Sequence, residues 1–261
     1  MKSIKILLIV LAMVCVSACS EDENPQPTFE SELIEITSVT DDGITVTLFA
    51  SEKFFVGYNT ITAKVEDEKG NLLDGDIAAM PMMDMMEMSH SSPIEFPNGT
   101  TMQEGIFRFN AVFVMPSGEM GNWRLVFTIN DTEITVPVDV TSPELARLVS
   151  FTSLMDETAQ YFVAYIDPKD PQIGQNDLEI AVFKRVSMME WPAVTEMSFN
   201  LEPWMVSMDH GSPNNVAPVH TANGHYRGTV NFTMTGDWQL RLTMKENGNV
   251  CGTPYFDLYF Q

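Results

Sequence analysis

Positive charge is scarce in this chain of 261 residues: 14 Lys and Arg stand against 36 Asp and Glu, a formal net charge of −22. That balance disfavours nucleic acid and anionic lipid surfaces as partners, because both reward Lys and Arg. It favours cations, through a diffuse field. Cysteine is nearly absent. Of the three, Cys15 and Cys19 lie at the start and only Cys251 lies in the body of the chain, so no internal disulfide can be drawn there and stability has to come from apolar burial. The 44% of hydrophobic residues is enough for two cores of ordinary domain size. There are four histidines, no nucleophile elbow and no usable thiol pair, so no acid–base constellation can be assembled and the chain is not expected to be an enzyme. Long apolar runs are missing beyond the first residues, and helical periodicity is hard to find anywhere.

Those first residues do carry a pattern. Lys2 and Lys5 precede a short apolar stretch from Ile6 to Val16, and Val16-Ser17-Ala18-Cys19 closes it with small residues, the layout of a signal peptide over residues 1–18. Its end resembles a bacterial lipobox, which implies cleavage before Cys19, lipidation of that thiol and a mature chain held to a membrane by its lipid. A signal-peptidase I site is the alternative. Residues 19–27, with Ser20, Glu21, Asp22 and Glu23 ahead of Pro25 and Pro27, form an acidic tether. It resembles the export signal of Bacteroidota lipoproteins, implying an outer-membrane protein displayed at the cell surface, with a periplasm-facing one as the alternative; a plain solvated linker would use the same residues.

What the chain does have is a pattern written twice. Met85, Met88, His90, Ser92 and Pro93 spell M-x-x-M-x-H-x-S-P, and Met205, Met208, His210, Ser212 and Pro213 repeat it 120 residues later. The flanks recur in one order: Gly57 and Asn59 as Gly174 and Asn176, Phe107 and Arg108 as Tyr226 and Arg227, Phe113 and Met115 as Phe232 and Met234, Gly121 and Trp123 as Gly236 and Trp238, and Pro137 as Pro254. A duplicated domain is the reading. Apolar residues alternate with period two over short runs bounded by turns such as Asp41-Asp42-Gly43 and Asn247-Gly248, so each copy is expected to be an immunoglobulin-like β-sandwich of about seven strands. The fold class is all-β, with tandem sandwiches over residues 28–143 and 146–261. The Thr141-to-Glu144 stretch joins them, short enough to favour a fixed pairing. Single strands are expected over Ile77 to Met88, Ala193 to Met208 and Val250 to Phe260.

In each copy a glycine opens a strand, a methionine-bearing segment leads to a histidine, and the aromatic landmarks follow in order. On those residues the domains resemble the YtkA-like family, related in layout to FixH proteins and copper-resistance β-sandwiches. The resemblance implies an exported module tied to copper handling, and offers no catalytic residues to carry over. Two departures stand out: Gly118-Glu119-Met120 is inserted before Gly121, and the second copy has a long irregular Val186 to Glu196.

Thioethers and imidazole suit Cu(I), so Met85, Met88 and His90, with Met205, Met208 and His210, are the candidate copper ligands. Met82, Met83, Met86, Trp204 and His225 are the residues expected around them. In one continuous strand Met86, Met88 and His90 would face one way and Met83 and Met85 the other, so convergence requires a bend between them. Two other readings fit the same residues. The methionines are also adaptable core fillers, or a Met-rich edge that docks a protein or polymer partner. Asp84 and Glu87 interrupt the run, which suits an exposed segment better than a core strand. Trp123 and Trp238 are expected to anchor the two cores.

Overall fold

Strict alternation of large apolar residues builds the sheets. Trp123, Leu125, Phe127 and Ile129 point to one side of one strand, and Trp238, Leu240, Leu242 and Met244 do the same in its counterpart; all eight are buried. The computed structural model describes residues 33–261, so the signal peptide, Cys19 and the acidic tether lie outside the described residues. Among those described there is no helix.

The first sandwich contains β1 (Ile34–Asp41), β2 (Ile44–Ala50), β3 (Gly57–Asp67), β4 (Gly75–Asp84), β5 (Ser89–Ser91), β6 (Ile94–Glu95), β7 (Thr101–Met102), β8 (Ile106–Phe113), β9 (Asn122–Ile129) and β10 (Thr132–Val138). The second contains β11 (Leu148–Thr152), β12 (Gln160–Asp167), β13 (Gly174–Arg185), β14 (Met197–Met205), β15 (His210–Gly211), β16 (Val216–Ala222), β17 (His225–Phe232), β18 (Gly236–Glu246), β19 (Asn249–Gly252) and β20 (Tyr255–Phe260). One sheet runs β1-β2-β3-β8-β6 and its counterpart β11-β12-β13-β17-β16; the facing sheets run β10-β9-β4-β5 and β19-β18-β14-β15, with β20 also on β18. The two halves therefore share a strand order and are two immunoglobulin-like β-sandwiches, each closed over its own apolar core.

Two-residue turns set the registers. Asp42 and Gly43 (φ 45° and 74°) join Asp41 to its partner Ile44, and Asn247 and Gly248 (φ 50° and 80°) join Glu246 to Asn249. Positive φ at both central positions matches the twist of the strands they link. The recurring Gly-x-Asn has an equally local cause. Asn59 accepts from the Phe55 amide and donates to the Phe55 and Gly57 carbonyls, and Asn176 does the same with Gln172 and Gly174. Each closes the loop that feeds the strand.

Three expected strands are corrected. The run from Ile77 to Met88 ends at Asp84 and folds back as β5. The run from Ala193 to Met208 is ordered only over Met197–Met205, then returns as β15. The last breaks at Thr253-Pro254 into β19 and β20, where proline has no N–H to give a ladder. In register with the tryptophans, Pro137 opposes Arg124 and corresponds to Asp257, which opposes Gln239. Pro254 is therefore not its counterpart.

The outer faces of two sheets meet between the sandwiches. Phe162, Ala164, Ala181 and Phe183 pack with Val112, and Tyr58, Leu148, Ile166 and Trp191 border them. β12 is consequently buried on both faces, Tyr161, Val163 and Tyr165 turning inward to its own core. At the rim of this interface His225 Nδ1 lies 2.7 Å from Glu179 and its Nε2 3.1 Å from Glu95. Tyr58 donates to Glu95 at 2.6 Å, and Arg227 reaches Glu179 at 3.0 Å. All described residues belong to one compact unit.

Candidate metal centre

The methionine run turns without a single good turn former, and an outward-facing polar clasp holds the turn. Asp84, the last residue of β4, accepts from Arg124 Nε at 2.6 Å and from Ser89 Oγ at 2.8 Å. The hydrogen bonds from Arg124 and then Ser89 hold its carboxyl below the usual range. The ladder pairs Met83 with His90 and Asp84 with Ser89, and the Met85 amide donates to the Met88 carbonyl at 2.9 Å, one pair further on. Alternation along both strands then puts Met83, Met85, Met88 and His90 on one face of the hairpin. The bend that convergence requires is present: the chain reverses between Met85 and Met88, so Met83 and Met85 do not face away from Met88 and His90 as they would in one continuous strand. Met83 is buried, Met85 packs on the core and Met86, at the tip, is 97% exposed.

His90 is 7% exposed and meets the Trp123 ring edge-on, centroids 5.5 Å apart. Its Nδ1 lies 2.8 Å from the Ser91 carbonyl oxygen. A carbonyl only accepts, so Nδ1 carries the proton and Nε2 of the neutral ring keeps its lone pair. Trp123 donates Nε1–H to the Met115 carbonyl at 2.8 Å.

The second sandwich repeats this unit. Met205 pairs with His210 on one side and Trp238 on the other; His210 Nδ1 lies 2.8 Å from the Gly211 carbonyl, its ring is edge-on to Trp238 at 5.8 Å, and Trp238 Nε1 donates to Met234 O at 3.0 Å. Ser207 and Asp237 clasp this turn as Ser89 and Asp84 do the first. The recurring Gly-x-Trp has a steric origin here. A Cβ on Gly121 would collide with the Asp84 carbonyl oxygen, and Gly236 holds φ 130°, a conformation that L side chains rarely adopt.

The register changes which methionines correspond. Both Met83 and Met205 stand opposite histidine and tryptophan, so Met83, not Met85, is the counterpart of Met205. The first hairpin has two more residues in its connection, and the matching M-x-x-M-x-H spelling hides the offset. In the second hairpin Met208 falls in the turn and is 57% exposed.

The surrounding set divides. Met83 joins the histidine face. Met82 pairs with Ser91 on the outward face, and Trp204, also outward, has the Arg241 guanidinium over its ring at 5.1 Å. His225 opens β17 at the end opposite Phe232, the residue that packs on Trp238, and its partners are Glu95 and Glu179; it lies away from the His210 cluster. Cys251 is buried, with burial pushing its thiol pKa up. Among the described residues no three His, Cys, Asp or Glu side chains gather as a metal site, so the donors at each hairpin are one imidazole and its thioethers. The feature missed from sequence is Trp191, 6.3 Å from the His90 ring and contributed by the other sandwich.

No curated protein matches the chain. Domains 5–6 of the S-layer protein SbsC are 14% identical over 87% of this chain and 98% of that one, with a TM-score of 0.28. Invasin, a bacterial integrin-binding protein, is 12% identical over 83% of this chain and 39% of its own, with a TM-score of 0.25. Likenesses this distant add nothing to the geometry. Residues 156–243, from the loop before β12 into β18, match the sequence model of the YtkA-like family.

Proposed function

We propose that this chain is a lipid-anchored, extracytoplasmic protein that binds copper as Cu(I) at the two hairpins, in copper buffering or handling. The observation that carries the reading is the pair of histidines, each with Nδ1 fixed to a backbone carbonyl and a methionine directly across the ladder. A ring nitrogen tied in this way orients the other for a metal. Thioether and imidazole together suit a soft ion, and no thiolate competes for it. Met85, Met88 and His90, joined by Met83, would hold one ion; Met205 and His210, with Met208 from the turn, would hold the other. Trp123 and Trp238 wall the imidazoles, and the acidic balance of the chain draws cations toward it.

The similarity of residues 156–243 to the YtkA-like family supports an exported β-sandwich module, and we infer that the first sandwich is a second copy. Lipid on Cys19 would place the chain on the outer membrane, at the cell surface. The intact mass of membrane-extracted protein should show an acylated amino terminus at Cys19; an unlipidated terminus elsewhere removes the anchor. No catalytic role is assigned.

The copper reading is tested by replacing His90 and His210 together with alanine. Equilibrium competition against a Cu(I) chelator should show tight binding lost, while thermal unfolding stays cooperative. Unchanged affinity would return the methionines to packing or to partner docking, the second reading, which the exposure of Met86 and Met120 favours.

A further inference from the structure

The two hairpins are alike in design and unlike in setting. Both departures from the repeat border the first one. The inserted residues before Gly121 form a tight loop, Gly118 and Gly121 exchanging backbone hydrogen bonds at 2.9 and 3.0 Å, and Gly121 abuts the Asp84 carbonyl at the start of the turn. The irregular segment after β13 belongs to the second sandwich but reaches the first. The Ser91 amide, next to His90, donates to the Met188 carbonyl at 2.8 Å.

Trp191, in the same segment, stands near the His90 ring, packs edge-on against Phe162 at 5.0 Å and carries Arg185 over its face at 5.9 Å. Its Nε1 and the neighbouring hairpin's Ser92 Oγ are buried without a hydrogen-bond partner. His210 has Trp238 as its ring contact and is only half-buried.

We propose that the His90 cluster, whose imidazole is covered while Met88 stays 47% exposed at the hairpin tip, is the more closed, two-sandwich site for a soft monovalent cation, with the Ser187–Trp191 segment as the lid over its histidine, and that the His210 cluster is the open site from which such a cation exchanges first. This rests on the copper reading. Release from His90 requires the lid to part from the hairpin, breaking the Ser91–Met188 bond and the Trp191 contact; release from His210 requires no such opening.

The test uses Ag(I), a soft ion of the same charge that is not redox-active under these conditions, on the whole chain, with release to excess thiol chelator followed by tryptophan fluorescence. Two phases are expected, the slower by about tenfold, the factor that a local opening of about 1.4 kcal/mol imposes. His90→Ala should remove the slow phase and His210→Ala the fast one. Trp191→Ala should accelerate the slow phase and leave the fast one unchanged, and Trp191→Phe, which keeps a ring on Phe162, should fall between them. Amide exchange in residues 186–191 should slow when Ag(I) is bound. Equal release rates, a slow phase that depends on His210, or a slow phase indifferent to Trp191→Ala would overturn the inference and leave metal binding standing. Absence of any Ag(I) or Cu(I) binding by the unaltered chain would overturn both.

Discussion

Replacing His225 by alanine is expected to destabilise the folded chain by about 1.5–3 kcal/mol, the range for losing hydrogen bonds to charged groups. His225, Glu95 and Glu179 expose only 16%, 12% and 14% of their side chains, so solvent does little to screen them. The imidazole stands between two carboxylates from different sandwiches, and without it they face each other across the interface. Tyr58 still donates to Glu95, and Arg227 still reaches Glu179, but neither bridges the two. Tyr58 keeps its proton for this, since burial and then the Glu95 charge push its hydroxyl pKa up.

The same triad fixes the sign of a pH effect. Burial pulls the His225 pKa down, but hydrogen bonds and charge from Glu95 and Glu179 outweigh it and raise the value above that of an ordinary histidine. A group whose pKa is raised on folding stabilises fully below its unfolded value, about 6.5, and that contribution fades as pH climbs through the raised one. Denaturant unfolding should therefore show the chain losing stability on its alkaline side, and His225→Ala should flatten that dependence. A variant as stable as the parent at about pH 6, well inside the protonated range, would overturn the assignment.

Much of this architecture was legible because the repeated residues act locally. Asn59 and Asn176 close the loops that precede their own strands, and Gly121 and Gly236 act beside their own hairpins, so their spacing survives as a pattern. The alternation in β9 and β18 marked Trp123 and Trp238 as core anchors for the same reason. The methionine run is less legible. Period-two alternation states which residues share a face only while the strand continues, and nothing in Met85-Met86-Glu87-Met88 announces a reversal. The turn is held by Arg124, 40 residues from Asp84. The neighbourhood of His225 is not legible in the sequence, because its carboxylate partners lie 46 and 130 positions away. Trp191 was invisible as a neighbour of His90 because it comes from the irregular part of the other sandwich.

Trp238→Ala is expected to cost about 3–5 kcal/mol, the range for emptying a fully buried aromatic site. The ring is 1% exposed, packs against Phe232 at 5.3 Å and stands opposite Met205. Its neighbours Phe232, Leu240 and Met205 are themselves buried, so truncation leaves a cavity inside the core. The variant also strips the Met234 carbonyl of its indole donor. Trp238→Phe separates the two losses. It keeps most of the apolar volume and gives up the hydrogen bond, worth about 1 kcal/mol net, so it should lie much nearer the parent in chemical denaturation. Trp238→Ala removes the wall against which His210 stands, Trp238→Phe reshapes it, and both leave Trp123 and His90 untouched. Fluorescence and Ag(I) release should then register a change at the His210 site in Trp238→Phe while the His90 site behaves as in the parent. A loss under about 1 kcal/mol in Trp238→Ala, no more than the removal of a single methyl group from a core costs, would mean that the second core does not depend on this ring.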